Sequence, residues 1–226
     1  MKGRNIVVIG GNSGIGGYLV TQLRDVGANV LVFSRRESGS GHLDVTDPDM
    51  GLKAVPDVVH GFVYCPGSIT LKPFHRLTTE DFLNDYEINV LGAVRTIQAC
   101  FKSLKQAQGA SVVLFSTVAV QTGLGFHASI AAAKGAVEGL TRSLAAEWAS
   151  QKIRVNAVAP SLTDTPLAGQ LLSTADKKEA AGKRHPLGRY GSVEDSAQAA
   201  FFLLSDQSTW ITGQVMQVDG GMSAVR

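Results

Sequence analysis

The sequence predicts an α/β fold: one doubly wound parallel sheet with helices on both faces. Three observations predict it. Short runs rich in Val and Ile recur along the whole chain, most without period-two alternation, as strands buried on both faces require. The segments between them carry helical spacing. A glycine-rich stretch follows the first run directly. A length of 226 residues suits a single domain spanning 1–226, and 44% hydrophobic with 18% charged residues is an ordinary globular balance that excludes disorder.

The strand runs, in order, are "NIVVIG" (5–10), "NVLVFS" (29–34), "VVHGFVYC" (58–65), "ASVVLFS" (110–116), "IRVNAVA" (153–159) and "GQVMQVDG" (213–220). Between the fourth and fifth, Val137, Leu140, Leu144 and Trp148 recur at i, i+3, i+7 and i+11, one apolar stripe on a helix. Thr78 with Asp81, and Ser192 with Asp195, have the spacing of a capping box, so helices start there. Right-handed crossovers between parallel strands then give the doubly wound sheet. Two regions are irregular. Residues 35–57 have little hydrophobic pattern and carry Gly39, Gly41, Gly51 and two prolines. Residues 161–186 are polar and charged, and a long segment of that kind in a compact domain reads as a lid over a site.

Several function classes are set aside by composition. A net charge of +2 supplies no basic stripe for nucleic acid. Cys65 and Cys100 are too few for a disulfide framework or a metal site, which suits a reducing compartment. The N-terminal apolar run Ile6–Ile9 is too short for a signal peptide or a membrane span, so a soluble cytoplasmic protein is expected, without a membrane partner.

The stretch "VVIGGNSGIGGYL" leaves the first strand and opens the first helix. Gly10, Gly14 and Gly16 let backbone approach a pyrophosphate, and the helix N-terminus adds free N–H groups and partial positive charge. With a strand before and a helix after, this predicts a Rossmann-type dinucleotide site in which Asn12, Ser13 and Ile15 share the loop. The second strand ends in "FSRRES". An acidic residue there would accept from the ribose 2′-hydroxyl of NAD. Ser34 is no carboxylate, and Arg35 and Arg36 suit the 2′-phosphate of NADP, so NADP(H) is expected over NAD(H).

At this point the chain resembles the short-chain dehydrogenase/reductase family over nearly its whole length. "GGNSGIG" is similar to the family's cofactor loop, and "LDVTD" (43–47) to the stretch flanking the adenine, which gives that role to Asp44 and Val45. "INVLG" (88–92) resembles the helix carrying an active-site asparagine, here Asn89. "FSTVAV" (115–120) resembles the strand end carrying the active-site serine, which places Thr117 there with Ser116 beside it. "RVNAVAPSLTDT" (154–165) is similar to the segment closing over nicotinamide, so Pro160, Ser161, Leu162, Thr163 and Thr165 are cofactor-binding by resemblance. "HPLGRYGSVED" and "ITGQVMQVDGG" resemble C-terminal signatures.

The departures are equally specific. The family's Asn-Asn-Ala-Gly stretch reads Tyr64-Cys65-Pro66-Gly67, so Cys65, Pro66 and Gly67 inherit cofactor contact with different side chains. The region between the second and fourth strands of the family looks shortened, enough to shrink or delete a helix. "SIAAAKG" places the active-site lysine at Lys134, gripping the nicotinamide ribose, but Ile130 stands where the family carries its proton-transferring tyrosine. His127, three residues before Ile130, falls on an adjoining helix face and is a candidate substitute acid; otherwise it only starts the helix. Tyr64, at a strand end facing the cofactor edge, is a lesser one.

These readings imply an NADP(H)-dependent oxidoreductase of a small carbonyl or alcohol with altered proton-donor chemistry. The alternatives are a catalytically weak or inactive NADP(H)-binding sensor or partner subunit, and a non-redox lyase or isomerase on the same fold. By the same resemblance, the long helical stretches 79–104 and 128–150 imply a homodimer or homotetramer.

Overall fold

In the computed structural model, which describes residues 1–35, 40–52 and 55–225, seven parallel strands form one sheet in the order β3-β2-β1-β4-β5-β6-β7. They are β1 (Asn5–Ile9), β2 (Asn29–Ser34), β3 (Gly41–His42), β4 (Gly61–Tyr64), β5 (Ser111–Phe115), β6 (Arg154–Pro160) and β7 (Val215–Val218). β1, β4 and β5 are buried almost throughout, which is why their sequences run apolar without alternation. The order reverses between β1 and β4, and a crevice opens there at the carboxyl ends of the strands.

Each face of the sheet has its own core. Phe62, Ile97, Leu104, Val112 and Val155 pack on one side, and Leu19, Leu23, Val63, Val113 and Leu203 on the other. The second core is covered by α1 (Gly14–Asp25) and α7 (Val193–Leu204), the first by α3 (Gly92–Gln106) and α5 (Ala128–Trp148), with the single-turn α4 (Ala119–Thr122) between β5 and α5. On α5 the buried face runs through Ile130, Ala133, Lys134, Val137, Thr141 and Trp148. Leu140 and Leu144, read from sequence as part of the stripe, pack half-exposed on its edge.

Both capping boxes form. Thr78 and Asp81 exchange side-chain to backbone hydrogen bonds at the start of α2 (Thr79–Tyr86), as Ser192 and Asp195 do for α7. The α2 axis continues into α3 through a π turn at Glu87–Leu91. Between β2 and β4 the described residues hold only the two-residue β3, and no helix. Residues 161–186 become an extended run, a 3₁₀ helix (Pro166–Leu172) capped by Thr165, and α6 (Ala175–Lys183) capped by Thr174. Among the described residues no helix is long and apolar enough to cross a membrane.

Candidate functional site

A cavity of about 500 Å³ occupies the crevice at the carboxyl edge of the sheet. Its floor is the glycine loop. Gly10 and Gly14 have φ of +76° and +54°, which L side chains rarely adopt. A Cβ on Gly16 would sit 2.6 Å from the Gly10 carbonyl oxygen, so only glycine lets helix and strand approach this closely. Ser13 occupies the N-cap of α1 but makes no side-chain capping bond, so the first-turn N–H groups lack that partner, and Gly14, Ile15 and Gly16 of this turn line the cavity. Asn12 Nδ2 donates to Ser34 Oγ, tying the loop to the end of β2.

Of the residues assigned cofactor contact from sequence, Gly10, Asn12, Ser13, Gly14, Ile15, Gly16, Ser34, Arg35, Asp44, Val45, Cys65, Pro66, Gly67, Lys134, Pro160, Ser161, Leu162, Thr163 and Thr165 all line this cavity. Arg36 lies outside the described residues. Asp44 accepts from the Thr46 backbone N–H at 3.0 Å and the Thr46 hydroxyl at 2.8 Å, and these bonds hold its carboxyl below the usual range.

At the other end, Thr117, Ser116, His127, Ile130 and Lys134 line the same space. Lys134 is buried, and its Nζ donates to the Phe115 carbonyl oxygen at 2.8 Å. Burial pulls its pKa down to about 8, against the upward pull of Cys65 and Asp85. The Cys65 thiol goes the other way, pushed up to about 12 by burial, so it is protonated and unreactive at neutral pH. Thr117 Oγ1 accepts from the Ala119 N–H at 3.3 Å. Ser116 Oγ instead donates to Glu138 Oε1 at 2.9 Å and is tied to α5.

His127 is the N-cap residue of α5 without a side-chain cap, and its Nδ1 meets the Gly125 carbonyl oxygen at 2.6 Å. Tyr64 is set in the core, its hydroxyl donating to the Ile88 carbonyl oxygen at 2.5 Å. Burial pushes its phenol far above the ordinary tyrosine range, so it is no proton donor to the cavity. No tyrosine lines the cavity among the described residues.

Asn89 does not reach the cavity wall. It sits in the π turn, 1% exposed, with Nδ2 donating to Ser68 Oγ (2.9 Å) and to the Asp85 carbonyl oxygen (2.8 Å). Its Oδ1 has no partner and would lie 3.3 Å from a Cβ on Gly67. Asp85 is fully buried and accepts from Ser68 (2.6 Å), Ser129 (2.7 Å) and Thr70 (3.4 Å), joining α2, α5 and the loop after β4.

Among the lining residues not singled out from sequence, three carry polar groups of consequence. Ser68 faces the cavity from the loop after β4, and Arg184 and His185 reach it from the end of α6. His185 is 4% exposed; its Nε2 meets Ser161 Oγ at 2.8 Å and its Nδ1 the Ala181 carbonyl oxygen at 2.7 Å. "HPLGRYGSVED" marks the segment, but nothing local in it announces a partner 24 residues earlier. Among the described residues no His, Cys, Asp or Glu cluster could hold a metal.

Comparison with known proteins agrees with this geometry. A family model described as enoyl-(acyl carrier protein) reductase matches residues 9–223. A tropinone reductase homolog of Arabidopsis thaliana is 34% identical over 246 aligned residues, covering 99% of this chain and 94% of that one. An L-xylulose reductase of Bos taurus is 33% identical over 240, covering 99% and 98%. The structure of ElxO with NADP bound superposes with a TM-score of 0.89 at 25% identity, covering 98% of this chain and 99% of that one. With the glycine loop under an open helix end, a buried lysine at the far end of one cavity and these relatives, the chain belongs to the short-chain dehydrogenase/reductase family.

Proposed function

We propose that the protein is an NADP(H)-dependent oxidoreductase that interconverts a small carbonyl compound and its alcohol, with a proton carrier other than tyrosine. One observation carries this reading. The open N-terminus of α1, the Arg35 guanidinium and the Lys134 ammonium share one cavity, spaced along it from the glycine loop to the start of α5. That donor set fits a phosphorylated dinucleotide: α1 N–H groups for the pyrophosphate, Arg35 for the 2′-phosphate, Lys134 for the nicotinamide ribose. When bound, the nicotinamide supplies or accepts the hydride. Thr117 orients the substrate oxygen, and 161–186 covers the site and excludes water. The NADP-bound ElxO relative supports the choice of cofactor. In this reading the protein works in the cytoplasm as a homodimer or homotetramer.

Fluorescence titration tests the cofactor. NADPH binds more tightly than NADH, and Arg35→Ala raises the NADPH Kd about tenfold or more while changing that of NADH little, as loss of one charge-assisted phosphate contact requires. Equal affinities for the two nucleotides would reject the NADP assignment. Following NADPH absorbance with 2,3-butanedione, cyclohexanone and benzaldehyde tests the reaction. The second reading, a cofactor-binding sensor or partner subunit with little turnover, is favoured by Ile130, a 3% exposed side chain without an ionisable proton in the cavity wall. NADPH binding with flat traces on every probe would favour it.

A further inference from the structure

We propose that Ser161 and His185 are the pair that moves the substrate proton in this chain. The inference rests on the oxidoreductase reading above. Both residues line the cavity, Ser161 at the end of β6 and His185 just past α6.

The hydrogen bonds fix the protonation pattern. The Ala181 carbonyl oxygen can only accept, so His185 Nδ1 carries the hydrogen of their 2.7 Å bond. In the neutral ring Nε2 is then bare, and the hydrogen of its 2.8 Å bond belongs to Ser161. Met222 Sδ lies 3.2 Å from the same oxygen, but a thioether is a weak acceptor and yields to imidazole. The result is a hydroxyl polarised by a base, with the base in turn oriented by a third group, the arrangement that activates a hydroxyl in acyl-transfer sites. His185 is buried and packs against Gly220, so its ring cannot turn away into water. His127, by contrast, is held by a carbonyl only two residues away at an exposed turn.

A counter-charge is at hand. Asp219, in the turn after β7, interacts electrostatically with His185. Burial pushes its carboxyl up, but donors from Ser223 and Gly221 together with His185 more than offset this and keep it ionised. An imidazolium formed at His185 therefore has a carboxylate in its field.

The step balances in both directions. In oxidation the substrate hydroxyl gives its proton to Ser161 Oγ as the Ser161 proton passes to His185 Nε2, and the hydride leaving carbon would go to the nicotinamide held in the cavity. In reduction the imidazolium returns that proton through Ser161 to the substrate oxygen, and carbon would receive its hydride from the bound reduced nicotinamide. Ser161 is the catalytic residue, and His185 acts through it.

Diisopropyl fluorophosphate reads the pair without any turnover. The Ser161 oxygen forms a bond to phosphorus, fluoride leaves, and the serine proton goes to His185 Nε2. Mass spectrometry is expected to find the adduct on Ser161, slowed by saturating NADPH and at least tenfold slower in His185→Gln. No adduct on Ser161, or an equal rate in His185→Gln, overturns the pair. Should His185→Gln not fold, wild-type labelling and its protection by NADPH decide alone.

Turnover is the second readout. Ser161→Ala and His185→Gln are expected to lower kcat for a probe carbonyl about 10²-fold, in His185→Gln with the NADPH Kd within about threefold, and imidazole in the buffer is expected to restore part of the rate in His185→Ala. Unchanged kcat overturns the proton role. A wild-type protein that binds NADPH but reduces none of the probes overturns the oxidoreductase reading and this proton role together, whereas labelling then still shows whether the polarised hydroxyl exists.

Discussion

Ile130→Tyr is expected to raise carbonyl turnover about 10²-fold, and by up to about 10⁴-fold when introduced into Ser161→Ala. The added phenol is a general acid, and such groups typically contribute that range. Position 130 is placed for it. Ile130 lies in the cavity wall one helical turn before Lys134, so the two side chains share a face of α5. Thr117 lines the same space. A tyrosine ring there extends into the cavity rather than into the packed sheet, so the cost of overpacking, about 1–3 kcal/mol inside a core, is largely avoided. The Lys134 ammonium would stabilise the phenolate left after proton transfer. The gain is larger in the Ser161→Ala background because there it replaces a missing proton carrier instead of adding a second. NADPH absorbance with benzaldehyde as probe, beside a thermal melt of each variant, checks both numbers. A well-folded double variant no faster than Ser161→Ala would mean that proton transfer is not what limits this site.

The second large effect is a trade at Lys134. Its pKa lies at about 8 in the folded protein, mainly through burial, against 10.5 for an ordinary lysine. The folded value is depressed, so between about pH 8 and 10.5 the unfolded chain holds more protons and stability rises with pH through that window. Below pH 8 both states are protonated, and the buried ammonium costs about 3 kcal/mol. Lys134→Met removes this cost together with the hydrogen bond to the Phe115 carbonyl oxygen, worth about 1 kcal/mol. The variant is expected to be about 2 kcal/mol more stable at pH 7, an advantage that shrinks toward pH 10.5. Its NADPH affinity should fall about tenfold to a hundredfold as the ribose contact is lost. In the wild type, affinity should decline as pH rises through about 8 and the ammonium is lost. Urea melts and NADPH titrations at pH 7 and 10 measure both sides. A destabilised Lys134→Met at pH 7 would mean that the ammonium is not desolvated.

The sequence disclosed what is local and left out what is not. The glycine loop reads plainly because backbone geometry at Gly10 and Gly14 and the close approach at Gly16 exclude other residues. The capping boxes of α2 and α7 read plainly because both partners sit within one turn. β2 emerges with the bounds its apolar run suggests, whereas β4 keeps only Gly61–Tyr64 of a longer run, since neighbouring strands decide where pairing stops. The two-residue β3 has no pattern of its own and exists by pairing with β2. Ser161 with His185, and Asp85 with Ser68 and Ser129, join residues 17 to 44 positions apart, and no periodicity encodes such meetings. Asn89 was named from its motif, yet its withdrawal behind the wall follows from the π turn, which spacing alone does not reveal.

That π turn gears the chain. It adds slack to what is otherwise one helical rod from Thr79 to Gln106. Because the extra residue is taken up within that one turn, removing one residue from 87–91 would restore an ordinary helical pitch and leave Ile97, Cys100 and Leu104 pressed against the sheet. Removing one residue from 92–96 instead would rotate everything beyond it by about 100° and swing those three side chains toward water. The rod can therefore shed a residue at its π turn without stripping a flank of the protein, but not in the regular helix that follows.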